Sequence, residues 1–137
     1  MTGLVVCVVV LAAASAFGVP QRRRGGRVRV RGRDDGKRVD AAGLGAELGE
    51  RATLVQFSSA FCAPCRATRR VLAEVAGLVP GVTHVEIDAE AHLDLVRRLD
   101  VLKTPTVLVL DADGRVVRRA TGQPRKADVI AALGEAV

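Results

Sequence analysis

From residue 53 onward the apolar residues change their spacing repeatedly, and this alternation constrains the fold more than any other feature of the chain. Leu54, Val55 and Phe57 crowd a short apolar run, which predicts a strand over 53–58. Val71, Leu72, Val75, Leu78 and Val79 then recur at helical steps, with Arg66, Arg69, Arg70 and Glu74 on the other face, and Pro80-Gly81 ends that helix. Residues 82–88 read as a second strand, and Leu93, Val96 and Leu99 as a short helix. The continuous run Thr106-Val107-Leu108-Val109-Leu110 is expected of a strand covered on both faces. Asp111-Ala112-Asp113-Gly114 predicts a hairpin turn into a strand over 116–121. Gly122 and Pro124 lead into a last helix carrying Val129, Ile130 and Leu133. A βαβ half followed by a ββα half implies an α/β class with one mixed sheet and helices on both faces.

Cys62-Ala63-Pro64-Cys65 falls between the first strand and the first long helix, and that placement gives the motif its chemistry. At a helix start, Cys62 faces unsatisfied backbone N–H groups and the positive end of the helix dipole. Both favour a thiolate, so its pKa is expected below the free value of about 8.5. A three-residue step along the first turn brings Cys65 within bonding range of Cys62. Pro64 is tolerated there because first-turn N–H groups need no intrahelical partner. The expectation is a pair that cycles between dithiol and disulfide, with Cys62 as nucleophile and Cys65 as resolving thiol. Half of a zinc site would need a second pair of soft ligands. Only Cys7, His84 and His92 are on offer, so no metal site is expected.

Val55-Gln56-Phe57, Cys62-Ala63-Pro64-Cys65-Arg66, Asp88 and Thr104-Pro105-Thr106 resemble the thioredoxin family in order and spacing, over about residues 50–137. The resemblance implies a thioredoxin-like three-layer fold and thiol–disulfide oxidoreductase activity with no bound cofactor. It also implies that Pro105 is cis and packs against Cys62 and Cys65, keeping metals away from the sulfurs. The Thr104 backbone would pair with an extended substrate segment. Phe61, Ala63, Pro64 and Gly122 would complete the substrate-binding surface. Two departures stand out. Phe61 replaces a common tryptophan, and Gln56 occupies the position of a buried acid that relays a proton to the second cysteine. Gln56 cannot accept that proton, so Cys65 activation must use water or another group. His84 on the neighbouring strand is the nearest titratable candidate, with a purely structural histidine as the other reading.

The other constraint lies at the N-terminus. Residues 2–19 carry no charge and read as a transmembrane anchor over 1–19, although 18 helical residues span only about 27 Å. Ala14-Ser15-Ala16 offers a signal-peptidase-like alternative, but basic residues follow the apolar run instead of preceding it. By the positive-inside tendency, the rest of the chain stays cytoplasmic at the cell membrane, with export as the alternative. Cys7 opens the apolar run and reads as a small apolar residue.

A basic, glycine-bearing linker is expected over 20–40, followed by the globular domain over 41–137. Between residues 20 and 38, Arg22, Arg23, Arg24, Arg27, Arg29, Arg31, Arg33, Lys37 and Arg38 are offset only by Asp34 and Asp35. The formal charge of +6 is therefore local, and the rest of the chain is nearly neutral. The linker, over 22–38, is expected to sit among anionic lipid headgroups. With 2% aromatic residues, none interleaved with these charges, nucleic acid is not an expected partner. The expected partners are a disulfide-bearing protein or small molecule and a separate electron-donating reductase or thiol. A redox-regulated adaptor with little turnover, and an exported reductase or isomerase, are the alternatives.

Overall fold

The structure is a computed structural model that describes residues 1–24 and 37–137, with the side chains of 17–24 excepted. The expected alternation of strands and helices is present. After α1 (Thr2–Arg24) and α2 (Ala41–Leu44) come β1 (Ala52–Ser58), α3 (Ala63–Leu78), β2 (Val82–Asp88), α4 (Leu93–Arg98), β3 (Thr106–Asp111), β4 (Val116–Thr121) and α5 (Lys126–Ala136). The four strands form one mixed sheet in the order β2-β1-β3-β4. β1 pairs parallel with β2 and antiparallel with β3, and β3 pairs antiparallel with β4. The parallel pair needs a crossover, which α3 supplies.

Every residue of β1 is buried, because helices cover the sheet on both faces. Side chains alternate along a strand, so β1 divides between two cores. Leu54 joins Leu72 and Val75 of α3, Val107 and Val109 of β3, and Val129 and Leu133 of α5. Val55 and Phe57 join Val85 and Ile87 of β2, Leu95 and Leu99 of α4, and Leu44 of α2. Full burial of each such side chain contributes about 1.5–3 kcal/mol. Gln56 shares the Leu54 face and points toward α3, where it is fully buried.

The hairpin between β3 and β4 turns at Asp111–Gly114, with the Gly114 N–H bonded to the Asp111 carbonyl at 3.0 Å. Gly114 has φ +83, and a Cβ there would lie 2.1 Å from the Val39 carbonyl oxygen. That close approach exists because Lys37–Val39 dock on the hairpin. The Val39 N–H bonds the Gly114 carbonyl at 2.9 Å, the Val116 N–H bonds the Lys37 carbonyl at 3.1 Å, and Arg38 bridges Arg115. Val39, assigned to the linker on composition, is 3% exposed and belongs to the core. Composition cannot register this, because one valine among charged residues gives no periodic signal.

The apolar first segment forms helix α1, which leaves Leu4, Val5, Val6, Val8, Val9, Val10 and Leu11 exposed. Among the described residues, no helix is long and apolar enough to cross a membrane. The transmembrane helix expected over 1–19 is therefore not supported. Residues 25–36, most of the stretch expected to meet lipid headgroups, lie outside the described residues.

Candidate active site

The strand register decides which loops meet. Phe57 of β1 is opposite Thr106 of β3, and Thr106 is opposite Thr121 of β4. The end of β1, the start of β3 and the end of β4 therefore share one end of the sheet. The loop carrying Phe61 and Cys62, the loop carrying Thr104 and Pro105, and Gly122 emerge there together.

Cys62 is the N-cap of α3. Its φ of −96 and ψ of 97 are extended, and its Sγ accepts the Cys65 N–H at 3.2 Å. The structure shows the oxidised state, with a disulfide between Cys62 and Cys65 and Cα atoms 5.2 Å apart. The two sulfurs are not equivalent in access. Cys62 is half-buried at the helix tip, whereas Cys65 is only 2% exposed. Ala63 and Pro64 are exposed in the first turn, where Pro64 has no intrahelical donor to lose. The Pro64 carbonyl accepts the Thr68 hydroxyl at 2.8 Å, which ties the first turn to the second. Phe61, at φ +61, projects fully into solvent.

The Thr104–Pro105 peptide bond is cis, as the resemblance implies. Pro105 is buried and Thr104 half-buried. Three hydrogen bonds hold this loop. The Gly122 N–H donates to the Pro105 carbonyl at 2.9 Å, and the Thr106 hydroxyl donates to the Lys103 carbonyl at 2.6 Å. The Ser59 and Thr104 hydroxyls are 2.7 Å apart, which links the cysteine loop to the proline loop. Gly122 needs its missing Cβ to adopt φ +90. Thr104 precedes the paired part of β3, which begins at Thr106.

Behind the disulfide lies a polar network. The Gln56 amide Nε2 donates to the Cys65 carbonyl at 2.8 Å and to the Ser58 hydroxyl at 3.0 Å. The Gln56 Oε1 lies 3.2 Å from His84 Nε2. Burial pushes the His84 pKa below its ordinary value of 6.5; Glu86 opposes that shift and Arg69 adds to it. The Arg69 and Glu86 side chains are themselves paired. Asp88, at the end of β2, uses Oδ1 to accept the Glu90 N–H at 2.9 Å and shapes the following turn. Exposed His92 is the N-cap residue of α4, its Nδ1 3.0 Å from the Asp88 carbonyl oxygen. Among the described residues, no group of three or more histidines, cysteines or acids could hold a metal ion.

Phe61, Cys62, Ala63, Pro64, Cys65, Thr104, Pro105 and Gly122 thus stand at one end of the sheet, with Gln56 behind them and His84 reached through Gln56, whereas Cys7 lies in α1. Sequence reasoning missed Ser58 and Ser59 as contributors, and placed Thr106 in the motif without its hydrogen bond to Lys103. The signal available for the first two was a pair of serines closing an otherwise apolar strand.

Comparison with known proteins agrees with this geometry. The Thioredoxin family model matches residues 45–135. A thioredoxin of Mycobacterium tuberculosis (strain ATCC 25618 / H37Rv) is 32% identical over 85 residues, covering 61% of this chain and 72% of that one. A thioredoxin of Mycolicibacterium smegmatis is 32% identical over 87 residues, covering 61% and 77%. Among solved structures, oxidised mitochondrial thioredoxin 3 of Saccharomyces cerevisiae shares the fold at 19% identity. Its TM-score is 0.55, with 62% of this chain and 78% of that one covered. With the cysteine pair capping its helix and the proline loop beside it at one sheet end, the chain belongs to the thioredoxin family and is a thiol–disulfide oxidoreductase.

Proposed function

We propose that this oxidoreductase works as a reductase of disulfides in partner proteins or small molecules, with Cys62 attacking and Cys65 resolving. The observation that carries the assignment is the unequal exposure of two bonded sulfurs, one at the helix tip and one buried beneath it. A partner sulfur can approach Cys62 in line, and a thiolate forming there gains the N–H groups of the first turn. The attack breaks the partner disulfide and forms a mixed disulfide with Cys62. Cys65 then displaces the partner thiol. Exposed Phe61, Ala63 and Pro64 form an apolar rim for the partner, and the Thr104 backbone offers a short strand-like edge beside Pro105 and Gly122. Electrons return from a separate reductase or thiol. Turnover of insulin disulfides with a dithiol as electron source tests the proposal. Sustained reduction is expected, whereas a single stoichiometric turnover would favour the adaptor reading.

The same proposal extends to location and organisation. Seven exposed aliphatic side chains on α1 and the basic residues that follow support a membrane-associated N-terminal segment, contacting anionic lipids through residues 22–38. The globular domain then faces the cytoplasm, where a reducing pool favours the dithiol. A cysteine added after Val137 and probed with an impermeant thiol reagent tests this. Protection in intact cells is expected, and labelling would support the exported alternative.

A further inference from the structure

The Cys65 carbonyl has no hydrogen to give, so the Gln56 carboxamide must turn its NH2 group toward it. Both amide hydrogens are then spent, on Cys65 and on Ser58. This orientation leaves Oε1 facing His84 Nε2 at 3.2 Å, and an acceptor in that position requires the proton on Nε2. Neutral His84 is therefore the Nε2–H tautomer, with its lone pair on Nδ1. Its inward nitrogen is a donor, so His84 is not a base for the buried cysteine.

We propose that His84 is a positioning residue for the resolving cysteine: its Nε2–H locks the Gln56 carboxamide, which holds the Cys65 backbone in place. The proposal rests on the resolving role of Cys65 given above. In the release step the Cys65 thiol loses its proton to water or a buffer base. Its sulfur bonds Cys62 Sγ as the bond from Cys62 to the partner breaks, and the partner leaves as a thiolate. Release oxidises the Cys65 sulfur and reduces the departing partner sulfur; over attack and release together, two cysteine sulfurs are oxidised and two partner sulfurs are reduced. None of the three Gln56 hydrogen bonds involves a sulfur, so the network can hold the first turn of α3 while the sulfur bonds exchange. A fixed backbone keeps the attacking sulfur close to in-line geometry.

The lock does not depend on the charge of His84, since imidazolium also donates from Nε2. The groups around the ring are Glu86 on its own strand, Arg69 of α3, and Glu47 and Glu50, which share with it an open cleft of about 760 Å³. That cleft gives the ring an open side, so replacing it need not strain the core.

The test uses an aromatic disulfide whose thiolates absorb visible light, added to the reduced full chain carrying Cys7→Ser in every variant, since Cys7 is a free exposed thiol. The first absorbance step reports attack by Cys62, and the second reports release by Cys65. His84→Leu, which has no donor, is expected to slow the second step about five- to ten-fold and leave the first within about two-fold. His84→Gln, which keeps an N–H donor, is expected to recover most of the lost rate. Equal release rates in His84→Leu and wild type, or equal slowing of both steps, would overturn the proposal. If His84→Leu does not fold, the nitrogen NMR shifts of wild-type His84 decide the matter. Nε2–H supports the lock, and Nδ1–H contradicts it. Cys65→Ser must abolish the second step; if it does not, the roles of the cysteines fail before that of His84 is tested.

Discussion

At the scale of single residues, Gln56 and His84 explain how this chain fills the space behind its cysteines without a carboxylate. A buried carboxylate would carry a charge that its surroundings disfavour, whereas the amide meets the Cys65 carbonyl, the Ser58 hydroxyl and His84 as a neutral group. The cost moves to His84, whose pKa is depressed mainly by burial. The unfolded chain therefore binds a proton at higher pH than the folded one does. The stability that results is fully present above the ordinary value of 6.5 and is lost as pH falls from there through the folded pKa. Urea unfolding at about pH 7.5 and about pH 5.5 should show a lower midpoint at the acid end, and His84→Gln should reduce that difference. A pH dependence identical in the two proteins would remove His84 as its source. The identity of Gln56 was legible in the sequence, but its partners were not. Hydrogen bonds between β1, α3 and β2 depend on how strands and helix pack, and no local pattern encodes that.

At the scale of elements, the strands and helices that build the site were legible, because each carries an unambiguous period or run. β2 has the expected bounds, and β1 gains only Ala52. The loops were less legible. Thr104 and Pro105 are tied in by the hydroxyl groups of Ser59, whose position gives no signal beforehand, and of Thr106, whose partner does not follow from the motif that contains it. The turn at Gly114 shows what an element end can demand. A side chain there must accept φ +83 and displace the Val39 carbonyl. Gly114→Ala is expected to cost about 2–4 kcal/mol and to loosen the 37–39 segment. Differential scanning calorimetry reads the first effect and amide exchange at Val39 and Val116 the second. An unchanged midpoint with retained protection would show that the hairpin accommodates the methyl group.

At the scale of the whole molecule, the chain divides into an apolar helix, a basic stretch and a family domain whose core also takes in Val39 from the stretch assigned to the linker. Val39 packs in the core, and Asp40 caps α2 by accepting the Gly43 N–H at 2.7 Å. A chain beginning at Lys37 should therefore unfold at the same denaturant midpoint as the full chain. One beginning at Ala41 should lose about 3 kcal/mol, from the core valine and the cap together. Equal stability of the two truncations would place Lys37–Asp40 outside the folding unit. The membrane reading illustrates the converse limit. Eighteen charge-free residues suggest a span, but among the described residues no helix is long and apolar enough to cross a membrane.

The central claim is that the two cysteines have unequal roles because one is at the helix tip and the other beneath it. The most direct measurement is covalent trapping in a Cys7→Ser background, comparing Cys65→Ser with Cys62→Ser against disulfide-bearing protein substrates on non-reducing gels. Cys65→Ser should accumulate mixed disulfides through Cys62, because the attack proceeds and the resolving thiol is gone. Cys62→Ser should accumulate almost none, because Cys65 is shielded from partners. Equal trapping by the two variants would contradict the account.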